Sequence, residues 1–216
     1  MSPRDRILEA AMTVFQRHGF RRSSIEETAE AAGLTRQALY HHFKSKEALF
    51  RAVIERVHDG ALADGAAAAA HTEAAGGTLA DIIVAQVAAR LKAFIASFDG
   101  SPHLEELFTE HQLQARDLYR HYATLHDAQV ARTIERAMRR EKLALASGMT
   151  VAKLTRYIGL AINGAKSVHP SMRPAETFLR DAEAMLRTLI AGAVAPTKPA
   201  KPSPTARPVR RKAGVR

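Results

Sequence analysis

Five polar side chains recur along one short segment near the N-terminus. Arg36, Gln37, Tyr40, His41 and Lys44 follow the spacing i, i+1, i+4, i+5 and i+8, which places them on one face of an α-helix. No acid is among them. Arginine suits the O6/N7 edge of guanine and glutamine suits adenine, while tyrosine or histidine can reach a phosphate or a thymine methyl. This face has the chemistry needed in the major groove of DNA.

The same segment contains the signals for two short helices with a tight turn between them. Ser23 and Ser24 each precede a glutamate at capping-box spacing, Gly33 interrupts the pattern, and Thr35 can cap the second helix. The apolar residues predicted to face inward are Ile25, Ala29, Leu34, Leu39 and Phe43, packed on Phe15. The pattern indicates a helix-turn-helix from about Ser24 to Phe43; an ordinary helical hairpin with a solvated face would fit it as well.

Residues 4–50 resemble the DNA-binding domain of the TetR (tetracycline-repressor-like) family. The resemblance rests on Ile7-Leu8-x-Ala10-Ala11-x-x-x-Phe15-x-x-x-Gly19-Phe20, on Ser24-Ile25-Glu26-x-x-Ala29-x-x-Ala32-Gly33-Leu34-Thr35, and on Leu39-Tyr40-x-His42-Phe43-Lys44-Ser45-Lys46-Glu47-x-Leu49. It is strong over this part of the chain and weak beyond it.

The resemblance implies residue roles on DNA. Arg36 and Gln37 lie where relatives read bases, and Ser24 caps its helix and can touch a phosphate. His41 could read a base or be solvated, and the contact at Glu26, where some relatives carry a basic residue, is left unassigned. Tyr40, His42 and Lys46 occupy phosphate positions. The expected DNA-binding set is Ser24, Thr35, Arg36, Gln37, Tyr40, His41, His42 and Lys46.

Composition predicts a soluble, all-α protein. Of the 216 residues 46% are hydrophobic and none is Trp, and alanine-rich periodic segments favour helices over strands. The lack of Cys excludes disulfides, thiolate metal sites and cysteine nucleophiles. No N-terminal signal and no stretch of 18 apolar residues is found, so we expect a cytoplasmic protein without membrane contact.

Helix-capping and helix-breaking residues divide the chain into segments 1–47, 48–194 and 195–216. We expect a helix-turn-helix domain, a helical effector-binding and dimerisation domain as the resemblance implies, and a tail. The first helix is expected to end at Gly19. The later helices are predicted from Ser45 to about Gly76, from Thr78 to about Phe98, from Pro102, over 112–146, from Thr150 to Val168, and from Pro174 to Ala193.

The tail holds much of the positive charge. Seven basic residues and no acid follow Pro196, in a chain of net charge +10; they are Lys198, Lys201, Arg207, Arg210, Arg211, Lys212 and Arg216. Without periodic apolar residues the tail is predicted to be disordered. It could add non-specific DNA affinity or serve only as a solubilising segment.

The last two helices are the expected dimer interface, because one helix-turn-helix covers only half of a site. Their apolar residues are Leu154, Ile158, Ala161, Ile162 and Ala165, then Phe178, Ala182, Met185, Leu186 and Leu189. The resemblance implies a four-helix bundle across a homodimer. These stripes could instead be intrachain core, and both uses can coexist because each helix has more than one apolar face.

The resemblance also implies an unknown small-molecule effector held by the middle helices. Candidate lining residues are Phe94, Phe98, Leu107, Phe108, His111, Tyr119, Tyr122 and Met138, although such residues are more often plain core. His103, His111, His121 and His126 lack H-E-x-x-H or i, i+4 spacing. We therefore predict no metal and no cofactor.

With what the resemblance implies, the sequence predicts a ligand-responsive, sequence-specific regulator that binds a palindromic operator in double-stranded DNA as a dimer. The resemblance favours a repressor and leaves an activator open. A nucleoid-type architectural protein, binding through charge alone, is the alternative. A helical enzyme is the remote third possibility, since no nucleophile elbow, P-loop or dinucleotide fingerprint is present. We expect no enzymatic activity.

Overall fold

The computed structural model describes residues 2–196, which form an all-α fold with one small pair of strands. The helices are α1 (Pro3–Arg22), α2 (Ile25–Ala31), α3 (Arg36–His42), α4 (Lys46–Ala74), α5 (Leu79–Ala96), α6 (Leu104–Gln114), α7 (Arg116–Glu141), α8 (Val151–Val168) and α9 (Ala175–Ala193). No helix in this range is long and apolar enough to cross a membrane.

Side-chain caps begin most of the helices where the sequence predicted them. Ser24 accepts a hydrogen bond from the Glu27 backbone N–H in a complete capping box at α2, and Thr35 caps α3. Ser45, Thr78 and Thr150 cap α4, α5 and α8 in the same way. Each cap satisfies an N–H group that the first helical turn leaves without a partner.

Gly19 interrupts α1 at the residue where the sequence predicted the first helix to end. Its φ of 75° and ψ of 172° lie outside helical geometry, yet α1 continues to Arg22. A side chain at this position would be strained, and its Cβ would lie 2.6 Å from the Glu106 carboxylate of α6. Glycine therefore permits both the kink and the close approach of α6.

An aromatic cluster joins the first three helices to α4. The ring centroids of Phe15 and Phe50 are 5.2 Å apart, and those of Phe20 and Phe50 are 4.8 Å apart. Leu39 and Phe43 are buried against the same core, as predicted. The first turn of α4 is thus part of the N-terminal core, and the boundary predicted between residues 47 and 48 falls inside this helix.

α4 and α5 pack closely along the centre of the second part of the chain. At Gly65 a Cβ would lie 2.8 Å from the backbone oxygen of Gln86 in α5. A glycine in the middle of α4 lowers intrinsic helix stability, and here it lets the two backbones approach. α5 also packs on α7 and α9, and α8 packs on α7 and α9.

The single helix predicted over residues 112–146 is in fact two helices, and that prediction is wrong. α6 ends at Gln114, Ala115 has φ −136° and ψ 30°, and α7 runs from Arg116 to Glu141. Arg51 of α4 donates to the Gln114 carbonyl at 2.7 Å and pairs with Asp117 at 2.7 Å. A side chain from α4 therefore satisfies groups exposed by the break.

Two further boundaries differ from the predictions. α6 begins at Leu104 rather than at Pro102, because the Ser101 hydroxyl donates to the Gln16 carbonyl at 2.7 Å and is held in a turn. Strands β1 (Leu143–Leu145) and β2 (Val194–Pro196) form an antiparallel pair, with Ala144 opposite Ala195. The predicted tail thus starts with a strand, and residues 197–216, including the seven basic ones, lie outside the described residues.

Candidate nucleic-acid interface and internal cavity

α3 presents a polar face to solvent and an apolar face to the core. Leu39 and Phe43 are buried, whereas Arg36, Gln37, His41, His42 and Lys44 are exposed and Tyr40 is half-buried. The two faces therefore divide as the sequence predicted. Gln37 and His41 are one helical turn apart, so both can enter the same groove.

An acid reaches this surface from the preceding helix. Glu26 of α2 lies 2.7 Å from Arg36 Nε, and both side chains are largely solvent-exposed. The Arg36 guanidinium also lies over the Tyr40 ring, 5.4 Å from its centroid. The expectation of an acid-free surface is correct for α3 alone and wrong for the folded surface.

Lys46 is held by backbone carbonyls at the end of α1. Its ammonium donates to the carbonyl oxygens of Phe20 at 2.9 Å, Arg21 at 3.2 Å and Ser23 at 3.1 Å. These bonds fasten α4 to the loop that precedes α2 and satisfy carbonyls that the helix end leaves open. The phosphate contact expected of Lys46 stays a prediction, now beside this structural role.

Ser24 and Thr35 are also engaged in holding helix ends. Glu27 accepts bonds from the Ser24 N–H at 2.8 Å and from its hydroxyl at 3.1 Å, and this lowers the pKa of Glu27. Thr35 accepts from the Ala38 N–H at 3.2 Å. These bonds fix the residues at which α2 and α3 begin, and the burial of Leu39 and Phe43 in the core gives the exposed face of α3 a defined orientation.

A cavity of about 170 Å³ lies among the middle helices. Of the predicted effector-binding residues, Phe94, Phe108, His111 and Tyr119 line it. Four others do not: Leu107 and Phe98 are buried in the core, Tyr122 stacks on His58 at 4.6 Å, and Met138 packs on the core from its edge. The complete lining is His58, Ala61, Arg90, Leu91, Phe94, Phe108, His111, Gln112, Tyr119, Lys166, His169, Ser171 and Met172.

Two buried histidines meet inside the cavity wall. His58 Nε2 and His111 Nε2 are 3.2 Å apart, so one donates and the other accepts. Burial lowers the pKa of His58 to about 3 and that of His111 to about 4, and nearby cations add to the effect. Both rings are therefore neutral at pH 7. No group of three or more His, Asp or Glu within residues 2–196 has the arrangement of a metal site.

Sequence reasoning missed the two cations of the cavity. Arg90 of α5 and Lys166 of α8 both line it, together with His58 and His169. Each cation lies one residue from an apolar position of its helix, and no local spacing links the two. Only the packing of α5 and α8 against α7 brings them together, so the sequence contained no signal for the pair.

α6 connects the cavity to the N-terminal helices. Phe108, His111 and Gln112 of α6 line the cavity. On the same helix, Glu106 accepts from the Arg21 backbone N–H at 2.7 Å, and Glu110 pairs with Arg21 Nε at 3.0 Å. A displacement of α6 by a ligand would therefore act directly on the end of α1.

α8 and α9 carry a second, exposed apolar stripe. Tyr157, Leu160 and Val168 of α8 are 38%, 53% and 72% exposed, and Met185 of α9 is 41% exposed. Most of the residues predicted to form a dimer interface are instead buried within the chain: Leu154, Ile158, Ile162, Ala165, Phe178, Ala182 and Leu186. Those residues therefore belong to the intrachain core, and Met185 is the predicted interface residue that lies on the exposed stripe.

The N-terminal segment of the chain is similar in sequence to known regulatory proteins. Residues 7–53 match the model of the family described as bacterial regulatory proteins, tetR family. The HTH-type transcriptional repressor ComR of Escherichia coli (strain K12) is 43% identical over 56 residues, 26% of this chain and 27% of that protein. The chain thus matches about a quarter of the length of this curated relative.

Solved structures resemble almost the whole chain at low sequence identity. A putative TetR-family transcriptional regulator from Mesorhizobium loti MAFF303099 has a TM-score of 0.64 at 17% identity, covering 89% of this chain and 97% of its own. The TetR-family repressor FadR of Thermus thermophilus, in complex with lauroyl-CoA, has a TM-score of 0.59 at 18% identity, covering 93% and 100%. The N-terminal segment thus matches the tetR family of bacterial regulatory proteins, and the chain shares its fold with these solved structures.

Proposed function

We propose that this protein is a ligand-responsive repressor that binds a palindromic operator as a homodimer. The observation that carries the proposal is the rigidly held, exposed face of α3, with Arg36, Gln37 and His41 directed to solvent and Leu39 anchored in the core. Such a face supplies the donors and acceptors that read base edges. It lies within the segment that matches the family model.

The dimer would form through the exposed stripe of α8 and α9. Tyr157, Leu160 and Val168 recur at helical spacing, and the small residue Gly164 lies beside Met185 between the two helices. A two-fold interface needs one self-complementary patch, which this apolar stripe can provide. Replacing Leu160 by Glu should shift the protein from dimer to monomer in sedimentation velocity. Leu113→Glu, at an exposed leucine of α6, should leave the dimer intact.

Ligand response would pass from the cavity through α6. Its residues His111 and Phe108 line the cavity, and its Glu106 and Glu110 hold Arg21 at the end of α1. A ligand that moves α6 would change the position of α3 relative to its two-fold partner. Because the two sites are thermodynamically linked, ligand and DNA would weaken each other's binding by the same factor.

The experiment is selection of bound fragments from the source genome by the purified full chain, followed by footprinting. We expect discrete protected sites with two-fold symmetry and half-sites about one helical turn, ~34 Å, or a multiple apart. Even coverage of all fragments, with a steep salt dependence, would favour an architectural protein that binds through charge alone.

A further inference from the structure

Two cations face the internal cavity without a matching anion. Arg90 and Lys166 are partly buried and line both this cavity and an adjoining one of about 100 Å³. Within residues 2–196 neither side chain has a carboxylate oxygen within 4 Å, in contrast to Arg51 or Arg187, which do. The Nε of Arg90 is also buried without a hydrogen-bond partner. A buried charge or a buried donor without a hydrogen bond lowers the stability of the folded protein. The presence of both at this cavity therefore calls for an explanation.

The groups around the two cations compensate them only weakly. Tyr119 offers its ring to the Lys166 ammonium at 5.6 Å. Asp127 lies at the adjoining cavity, but its carboxylate is half exposed, and solvent screens such a charge. His58 and His111 are neutral at pH 7. Burial lowers the pKa of Lys166 to about 8, which leaves it mostly protonated at pH 7. The cavity therefore carries net positive charge.

The rest of the lining combines an apolar wall with the polar residues Gln112, His169 and Ser171, and the space is small. Ala61, Leu91 and Met172 complete a wall with the rings of Phe94 and Phe108, whose centroids are 5.7 Å apart. The volume of about 170 Å³ is near that of an engineered apolar cavity, about 150 Å³, that binds benzene in another protein. One aromatic ring or a short acyl chain would fit.

We propose that the cavity binds a small organic monocarboxylate, with its carboxylate bonded by Arg90 and Lys166 and its compact apolar body against Phe94 and Phe108. The proposal rests on the function proposed above in taking this ligand as the regulatory effector. A guanidinium can bind both oxygens of a carboxylate, and the ammonium adds a third donor. Asp127 already offsets part of the positive charge of Arg90 and Lys166. A ligand with one negative charge therefore balances the remainder better than a phosphate dianion does.

The test is calorimetric titration of the full chain with sets of matched probes. Benzoate is compared with benzamide, benzylamine and phenyl phosphate, and hexanoate with hexanamide. At least one of the two acids should bind, its amide should bind at least about tenfold more weakly, and benzylamine should not bind. Equal binding of acid and amide, tighter binding of phenyl phosphate, or no binding of either acid at millimolar concentration would overturn the proposal.

Variants assign the effect to the two cations. Arg90→Met and Lys166→Met should each weaken acid binding at least about tenfold, whereas Lys92→Met, at an exposed lysine of α5, should not change it. Without ligand, both cavity variants should unfold at the wild-type temperature or above it, because each removes a poorly compensated buried charge. Unchanged acid affinity in both cavity variants would refute the assignment. If either Met variant fails to fold, Lys166→Gln and Lys166→Arg provide the same comparison of charge.

A second readout separates this proposal from the function on which it rests. Release of the selected operator fragment by the acid is followed in the wild type and in Arg90→Met. If the acid binds with the predicted preference but leaves DNA affinity unchanged, the anion site stands and ligand-responsive repression fails. If the protein binds its operator but neither acid binds, the carboxylate proposal fails and the repressor requires another ligand.

Discussion

Glu26 of α2 and Arg36 of α3 lie 2.7 Å apart on the surface that would face DNA. Both side chains are mostly exposed, so the pair is screened by water and ions and can exchange for other partners. In the free protein Glu26 orients Arg36 over Tyr40. On DNA the guanidinium would have to exchange this carboxylate for a base edge, and the carboxylate would lie near phosphates.

Replacing Glu26 by Gln should strengthen DNA binding several-fold on all sequences. The variant frees Arg36 and removes one negative charge that opposes the phosphates. Because non-specific duplex gains as much as the operator, the ratio of the two affinities should stay the same or fall. Fluorescence anisotropy at matched salt measures both. Glu30→Gln, at another exposed acid of the α2 region, is the control. Weaker operator binding by Glu26→Gln would show instead that Glu26 orients Arg36 for base reading.

Replacing Lys46 by Met should affect folding as well as DNA binding. The loss of three carbonyl bonds should lower the free energy of unfolding by about 1–3 kcal/mol, measured by urea denaturation, and should weaken binding to all sequences alike. Lys44→Met removes an exposed cation whose one hydrogen bond within residues 2–196 is to the Tyr40 carbonyl, so its effect should be confined to DNA affinity. A Lys46→Met protein as stable as the wild type would disprove the structural role of the ammonium.

Replacement of each of two glycines in α4 by alanine should change the stability of the protein in opposite directions. Gly65→Ala would place a Cβ 2.8 Å from the Gln86 carbonyl oxygen, and separating α4 from α5 should cost about 1–3 kcal/mol. Gly60 is exposed, and no described atom outside its own stretch of helix backbone lies within 4 Å of its Cβ position, so Gly60→Ala should stabilise by roughly 0.4–1 kcal/mol. Thermal unfolding of the two variants compares them directly. A neutral Gly65→Ala would mean that α4 and α5 pack less closely than described.

The buried histidine pair should make the protein less stable as the pH falls. The folded-state pKa of His58 is about 3 and that of His111 about 4, against an ordinary value of 6.5. Below pH 6.5 each histidine binds a proton in the unfolded chain but stays neutral in the folded protein. The free energy of unfolding therefore falls with pH until the pH reaches the folded-state pKa of the ring. The loss is about 1.4 kcal/mol per pH unit for each ring.

Urea denaturation at several values between pH 7.5 and pH 4.5 tests this loss. His111→Gln should flatten the pH dependence by up to the contribution of one ring, even if it lowers stability at pH 7.5. His71→Gln, at an exposed histidine, should leave the dependence unchanged. An identical dependence in wild type and His111→Gln would contradict a neutral His111 in the folded protein.

Local signals were sufficient for the helix-turn-helix. The caps at Ser24 and Thr35, the interruption at Gly33 and the inward spacing of Leu39 and Phe43 all act within a few residues, so the sequence could predict them. The break at Ala115 could not be predicted in this way, because it contains no Gly or Pro and is stabilised by Arg51, more than sixty residues away.

The residues that line the candidate cavity could likewise be predicted only in part. Phe94, Phe108, His111 and Tyr119 could be selected as aromatic or polar residues of the middle helices, but the same criterion also selected Phe98 and Tyr122, which do not line the cavity. The Arg90 and Lys166 pair depends on the packing of α5, α7 and α8. A lone cation on a helix is typically solvated, so neither residue indicated a site by itself.

The most direct test of a base-reading face on α3 is a specificity profile of Arg36→Ala on the selected operator. Every base pair of one half-site is substituted in turn and the affinity is measured for wild type and variant at one salt concentration. We predict a loss of about ten- to a hundredfold on the cognate site and relaxed discrimination at one base position in each half-site. A variant that binds the operator as tightly as the wild type, with the same preference at every position, would contradict base reading by Arg36 on α3.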